Sequence, residues 1–249
     1  MTYPEKIRTY KTSKGEFPSV TEILKIYDKS GPLMGWAVKM GAEAVKKYLE
    51  DLSEIDAIDM AIDIDGIVAI VKNAFRDKQK KALDTGSKVH NAVEVFTKAP
   101  SRAVGMKLVT ALDEYEQIEK PFSAFVKWYD AVGFKLILGE HPIESAIYRF
   151  AGTLDAIAMI EGKKTLADYK ASNAIRDDYL WQIAGYDKAY KEMGGEEIEQ
   201  WGCLRLDKDT GIPEWKTWNA DEIAVGFDIF SSIVELWWKV NGHKIKGKK

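Results

Sequence analysis

The chain has 249 residues, 46% of them hydrophobic and 30% charged, so it can bury one large core, or a core with a helical accessory lobe beside it. No apolar run is long enough to span a membrane, the start is polar rather than signal-like, and the lone cysteine, Cys203, fits a reducing cytosol and excludes a Cys-ligated iron-sulfur cluster. A net charge of -3 argues against non-specific adhesion to nucleic acid, although a local groove rather than the average sets phosphate affinity, and bound metal would cancel several of the acids.

In chain order, Ser19 with Glu22 three residues on predicts a capping box for a short helix, and Pro32 opens a helix running to about Leu52. A polar, acidic stretch near Ser53 to Asp65 precedes helices over about 66 to 98. Residues 1 to 82 are too helical and too long for a linker and are read as an accessory lobe, with 83 to 249 as the core. On the later part of that helical stretch, His90 and Glu94 stand one turn apart, able to ligate a metal or simply to pair on the surface. Lys72, Arg76, Lys78, Lys80, Lys81 and Lys88 crowd the approach to His90; they form a phosphate-contacting groove or a solvated face balanced by Asp77 and Asp84.

Helices are predicted from Ser101 to Ile118 and from Pro121 to Val132, then strands over about 134 to 141, 143 to 150, 152 to 160 and 163 to 170. The last two read as a hairpin turning in Glu161-Gly162-Lys163-Lys164, apolar on both faces as in a sheet covered on both sides. Asp155, Asp168 and Lys170 interrupt these apolar runs. If the turn is two or four residues long, Asp155 lies across from Lys170 with Asp168 as diagonal neighbour, all on one face. Charges are almost never buried unpaired, and neighbouring acids repel unless a cation sits between them. The cluster is therefore either a salt-bridged structural group or a site for a hard divalent metal.

After Ala171-Ser172-Asn173 an amphipathic helix from about Ile175 to Met193 puts the Gln182 amide and the Tyr186 phenol on one face, suited to a phosphate, to orienting a catalytic side chain, or merely to lining a half-buried surface. Glu197 to Leu206 and Glu214 to Trp218 predict a hairpin around Asp207-Lys208-Asp209-Thr210-Gly211, and Asp221 to Val240 a closing helix.

Taken together, Gly86-Ser87-Lys88-Val89-His90 with Glu94, Gly152-Thr153-Leu154-Asp155, Asp168-Tyr169-Lys170 and Gln182-x-x-x-Tyr186 resemble, in order and context, the PD-(D/E)XK nuclease superfamily in its RecB-like branch. Pro18-Ser19-Val20-Thr21-Glu22-Ile23-Leu24, with Leu33 and Trp36, resembles the amino-terminal signature of phage exonucleases related to the mitochondrial genome maintenance exonuclease. Leu154 stands where the superfamily name has Pro, and Asp168 where Glu is more frequent. Glu140 falls where relatives often carry an acid on the first core strand.

The resemblance implies an α/β (α+β), restriction-endonuclease-like core with a mixed central sheet flanked by helices, plus a helical amino-terminal lobe. It implies Mg2+ or Mn2+ held by Asp155, Asp168, His90 and the Tyr169 backbone carbonyl, with Glu94 supporting His90 or binding a second ion. Lys170 would position the attacking water, Gln182 and Tyr186 would brace it or hold the substrate, and Ser87, Lys88, Ser172 and Lys81 would contact the substrate. The expected activity is a DNA exonuclease acting on ends or single strands in phage or bacterial recombination or repair, in the host cytoplasm. A single-strand annealing protein or a helicase is the implied kind of partner. An endonuclease of the same fold and a non-catalytic DNA-binding module remain open at this point.

Overall fold

The computed structural model describes residues 7–27, 30–53 and 64–246. It divides into two compact units, Met1–Tyr27 with Lys88–Lys249, and Asp28–Ser87. The division does not fall at residue 82, because the first segment belongs with the sheet. It forms a hairpin, β1 (Thr9–Thr12) and β2 (Gly15–Pro18), that the sequence reading missed, followed by a short helix α1 (Val20–Ile23). Val20, Ile23 and Leu24 are buried in the same core cluster as strand residues Leu154 and Leu166. The expected capping box is half formed. Ser19 Oγ accepts the Glu22 N–H at 3.0 Å, but the Ser19 N–H goes to the Arg8 carbonyl, while the Glu22 carboxylate faces the Arg8 N–H.

The helical unit holds α2 (Ser30–Ser53) and the first part of α3 (Ile64–Lys98). The acidic stretch expected between them lies largely outside the described residues. Two further helices follow, α4 (Arg102–Thr110) and α5 (Tyr115–Val132). Here the expected boundary is corrected: Pro121 does not open a helix but sits inside α5, buried, and the break lies at Ala111–Glu114.

The central sheet has five strands in sequence order, β3 (Lys135–Ser145), β4 (Phe150–Ile160), β5 (Lys163–Lys170), β6 (Gln200–Leu206) and β7 (Pro213–Trp218). Neighbours are antiparallel except β5 and β6, which are parallel and joined through helix α6 (Asp177–Glu192) as a crossover. The final helix is α7 (Ala220–Lys246). This is the mixed sheet flanked by helices that the sequence implied. Where two strands were expected over 134 to 150, the structure has one, β3, running through Pro142. A proline lacks a ladder N–H, and β3 is an edge strand, where that loss is tolerated.

Both faces of the sheet are covered. Leu154, Ile157, Leu166 and Cys203 pack with α6 and α7, and Ala156, Ala158, Ala167, Tyr169 and Leu204 pack with α3 and α5. The smallness of Ala156, Ala158 and Ala167 admits Phe96, Phe122 and Phe125 against the second face, with Phe96 edge-on to both other rings and Phe122 stacked on Phe125. The β4–β5 turn is the two residues Glu161 and Gly162, both with positive φ (51° and 80°), as a tight hairpin turn with right-handed strand twist requires.

Candidate metal centre and its buried ion pair

That turn fixes the register. Ile160 pairs with Lys163 and Ala156 with Ala167, so one further step would set Asp155 opposite Asp168, not opposite Lys170 as the sequence reading had it. The step is not taken: the ladder ends at Ala156–Ala167, and the strands part. The Tyr169 N–H freed by the parting is accepted at 2.7 Å by Asp155 Oδ2. A side chain thus replaces the missing backbone partner of a part-buried donor.

On its other edge β4 is irregular as well. The β3–β4 ladder pairs Gly139 with Ala156 and His141 with Leu154 but omits Glu140 and Asp155 between them. Leu154 packs on the α6 side and Ala156 on the α3 side, so the alternation of side chains slips here by one residue while the register on either side is kept; the ladder's register shift lies earlier, between Leu136 and Leu138. Glu140 has φ 48°, a left-handed conformation rare for a non-glycine residue. The two distortions turn both carboxylates toward α3, where His90 meets them. His90 Nδ1 is 3.5 Å from Asp155 Oδ1 and 3.9 Å from Glu140 Oε1.

One ligand atom from each of His90, Glu140 and Asp155 lies within 4.8 Å of the others. The imidazole is oriented for ligation: Nε2 donates to the Tyr169 carbonyl at 2.9 Å, which leaves Nδ1 facing the carboxylates. Metal-bound histidines are held in this way, by a carbonyl on the nitrogen away from the ion. Burial works against a charge on His90, but the charge and hydrogen bond of Asp155, with Glu140, outweigh it and lift its pKa to about 10. Burial likewise pushes against ionised Asp155, yet His90, Lys170 and the Tyr169 N–H hold its pKa below the ordinary value. Without an ion, the proton drawn onto the ring balances the two carboxylates; a divalent ion would take that proton's place at Nδ1, and the mixed oxygen and imidazole donors fit Mg2+ or Mn2+.

The sequence-based ligand set and this triad overlap in part. Asp168, fully buried on β5, is bound on its other flank: Oδ2 is 2.6 Å from Lys170 Nζ, and Oδ1 accepts from Gln182 Nε2 at 3.1 Å. Gln182 Nε2 also donates to Tyr186 OH at 2.8 Å. Burial raises the Asp168 pKa to about 6 despite Lys170, and the charges of Asp168 and Asp155 hold Lys170 protonated well above the usual ammonium range. The Tyr169 carbonyl is engaged by His90, and Glu94, one turn beyond His90, turns its carboxylate to Lys98 at 2.6 Å. Glu140, placed by the sequence reading on the first strand but not among the ligands, is the acid the triad gains. The signal for it was its place on the first core strand, where relatives of the resembling family often carry an acid.

The remaining expected residues are less converged. Lys88 Nζ donates to Gln117 Oε1 at 2.7 Å, and the Ser87 hydroxyl donates to the Leu83 carbonyl within its own helix. Ser172 Oγ donates to the Ala174 carbonyl in the loop after β5. Lys80 and Lys81 are exposed on the helical unit, and the side chains of Lys72, Arg76 and Lys78 lie outside the described ones. Cys203 is buried and its thiol pKa raised by that burial, which leaves it inert.

No family model matches the sequence, and no curated protein matches it. Among solved structures, the chain is similar to an alkaline exonuclease from Laribacter hongkongensis, at 14% identity and TM-score 0.34, over 67% of this chain and 97% of that one. The same exonuclease in complex with dAMP aligns at 14% identity and TM-score 0.30, over 62% and 92%. Likeness of this size leaves function to be argued from the site.

Proposed function

We propose that the chain is a metal-dependent deoxyribonuclease, an exonuclease hydrolysing phosphodiester bonds at DNA ends or in single strands, in phage or bacterial recombination or repair. The observation that carries this reading is the convergence of His90, Glu140 and Asp155 from three elements beside a buried Asp168–Lys170 pair. A structural salt bridge alone needs neither two strand irregularities nor a left-handed Glu140 to bring further acids beside it. His90, Glu140 and Asp155 would hold Mg2+ or Mn2+, with Asp168 as a further carboxylate. Such an ion supplies hydroxide near neutral pH and neutralises charge on the phosphoryl oxygens.

The chain's own groups do the rest. Lys170, kept charged by Asp168, would orient the attacking water and stabilise negative charge developing at phosphorus. Gln182 fixes Asp168, and Tyr186 fixes Gln182, so the ammonium is held by three linked side chains on β5 and α6. Tyr179 closes the other side, its ring centroid 5.4 Å from the Lys170 ammonium.

The test is incubation of purified protein with end-labelled linear single-stranded and double-stranded DNA, and with closed circular DNA, in Mg2+, Mn2+ and EDTA. Metal-dependent loss of linear DNA, with the circle intact and Asp168→Asn inactive, is the expected result. Cutting of the circle would replace the exonuclease by an endonuclease, and no hydrolysis by folded protein would end the catalytic reading.

A further inference from the structure

The parting of β4 and β5 leaves the amino-terminal half of β4 without β5 beside it, and the β1–β2 hairpin comes in there. Ser19 bridges Ala151 in parallel, and Tyr10 OH lies 3.2 Å from Thr153 Oγ1. Thr153 is two residues before Asp155. The side chain that ties the hairpin to the sheet is therefore anchored two residues along β4 from a carboxylate of the candidate metal centre.

Arg8 immediately precedes β1, two residues before Tyr10, and its Nη2 donates to Tyr10 OH at 3.2 Å, with Cζ 5.8 Å from the ring centroid. Arg8 is exposed, and among the described residues its guanidinium meets no carboxylate. Lys11 and Lys14, both exposed near the hairpin tip, likewise meet none. An arginine oriented by a phenol but left without an acid has four of its five N–H donors open, in the fork geometry that matches a phosphate. A hairpin needs no such cation for its own stability.

We infer that Arg8 and Tyr10 form a phosphate-binding subsite for the polynucleotide, holding the backbone next to the diester at the metal centre. The inference rests on the nuclease reading and deepens it: Tyr10, fixed through Thr153, sets where Arg8 reaches. Arg8 acts by positioning a neighbouring phosphate, so its contribution is to substrate binding and not to bond cleavage.

Two substrates separate these roles. A fluorescein-labelled single-stranded oligonucleotide, titrated in Ca2+ over a range of salt, reads the phosphate contacts. Bis(4-nitrophenyl) phosphate in Mn2+ has one diester and no neighbouring phosphate. Arg8→Gln is expected to weaken oligonucleotide binding about fivefold to tenfold and to flatten the slope of log K against log salt by about 0.7, the share of one phosphate on a single strand. Hydrolysis of the small diester should be unchanged. Arg8→Lys should keep the slope, and Tyr10→Phe should keep the slope while weakening binding about threefold, since charge stays but orientation is lost. An unchanged slope in Arg8→Gln overturns the inference, as does loss of small-diester hydrolysis in step with affinity. If the wild type cleaves neither substrate while the slope still changes at Arg8, the catalytic reading falls and the phosphate subsite stands.

Discussion

Replacing Lys170 by methionine keeps most of its volume and removes its charge, which separates two duties of one side chain. Asp168 is buried, with a side chain 1% exposed, while Lys170 is 19% exposed at 2.6 Å from it. Removing one partner of a buried pair costs about 3–5 kcal/mol because the other charge is stranded. The partial exposure of Lys170, and the Gln182 donor that Asp168 retains, place the expected loss near the lower end, about 3 kcal/mol at pH 8. The sign with pH follows from Asp168. Its folded pKa is raised to about 6, so below that value the carboxyl takes a proton in the wild type too, and Lys170 keeps only the charge of Asp155 as a partner. The destabilisation should therefore shrink by about 1 kcal/mol or more at pH 5, leaving the lost packing of the side chain and its weaker attraction to Asp155. Urea denaturation of both proteins at the two pH values measures this. Turnover should fall about a hundredfold to a thousandfold, the size seen when one donor to a developing charge is lost, with Mn2+ affinity within about threefold of wild type. A destabilisation that does not change with pH, or losses of turnover and metal affinity of equal size, would reassign Lys170 to structure.

Other outcomes follow from the same geometry. Glu140→Gln should weaken Mn2+ binding about tenfold or more, measured by titration calorimetry, while Glu94→Gln should leave it nearly unchanged because Glu94 faces Lys98. Asp168→Asn should abolish hydrolysis with the far-UV circular dichroism spectrum retained; activity near the wild-type level would dismiss the metal-site account. Gly202→Ala should cost about 1–3 kcal/mol, since an added Cβ would meet the Trp215 ring at 2.1 Å and force the sheet or the ring to move. The Asp207 carboxylate accepts backbone N–H groups of Thr210 and Asp209 and pairs with Arg205, which holds its pKa well below the usual range. Its stabilisation is present above the ordinary carboxylate pKa and lost as pH falls, so the difference in denaturation midpoint between wild type and Asp207→Ala should narrow below about pH 4.

Much of the fold is legible because apolar period and breaker residues point the same way. The residues of β4 and β5 are apolar on both faces, and both faces are covered. The failures have local causes. Pro142 reads as a strand end, but its missing N–H costs nothing on an edge strand, and nothing in the sequence marks β3 as the edge. Pro121 reads as a helix start, whereas tertiary burial in α5 overrides it. The β1–β2 hairpin escapes because its strands are four residues each and gain their stability from β4. At the site, the residue types of Asp155, Asp168, Lys170, Gln182 and His90 can be read, but which atoms meet cannot. That depends on where the β4–β5 ladder stops, and a ladder end set by the competition between a backbone carbonyl and the Asp155 carboxylate for one N–H leaves no mark on hydrophobic pattern. Glu140 depends on a left-handed backbone at a gap in the β3–β4 ladder, which turns a side chain without changing composition.

If His90, Glu140 and Asp155 hold the catalytic ion, anomalous diffraction from crystals soaked in Mn2+ will locate it there. A peak is expected between His90 Nδ1 and the Glu140 and Asp155 carboxylates, absent in Asp155→Asn crystals treated alike. A Mn2+ peak held elsewhere on the chain, or none at this triad at saturating Mn2+, would contradict that assignment.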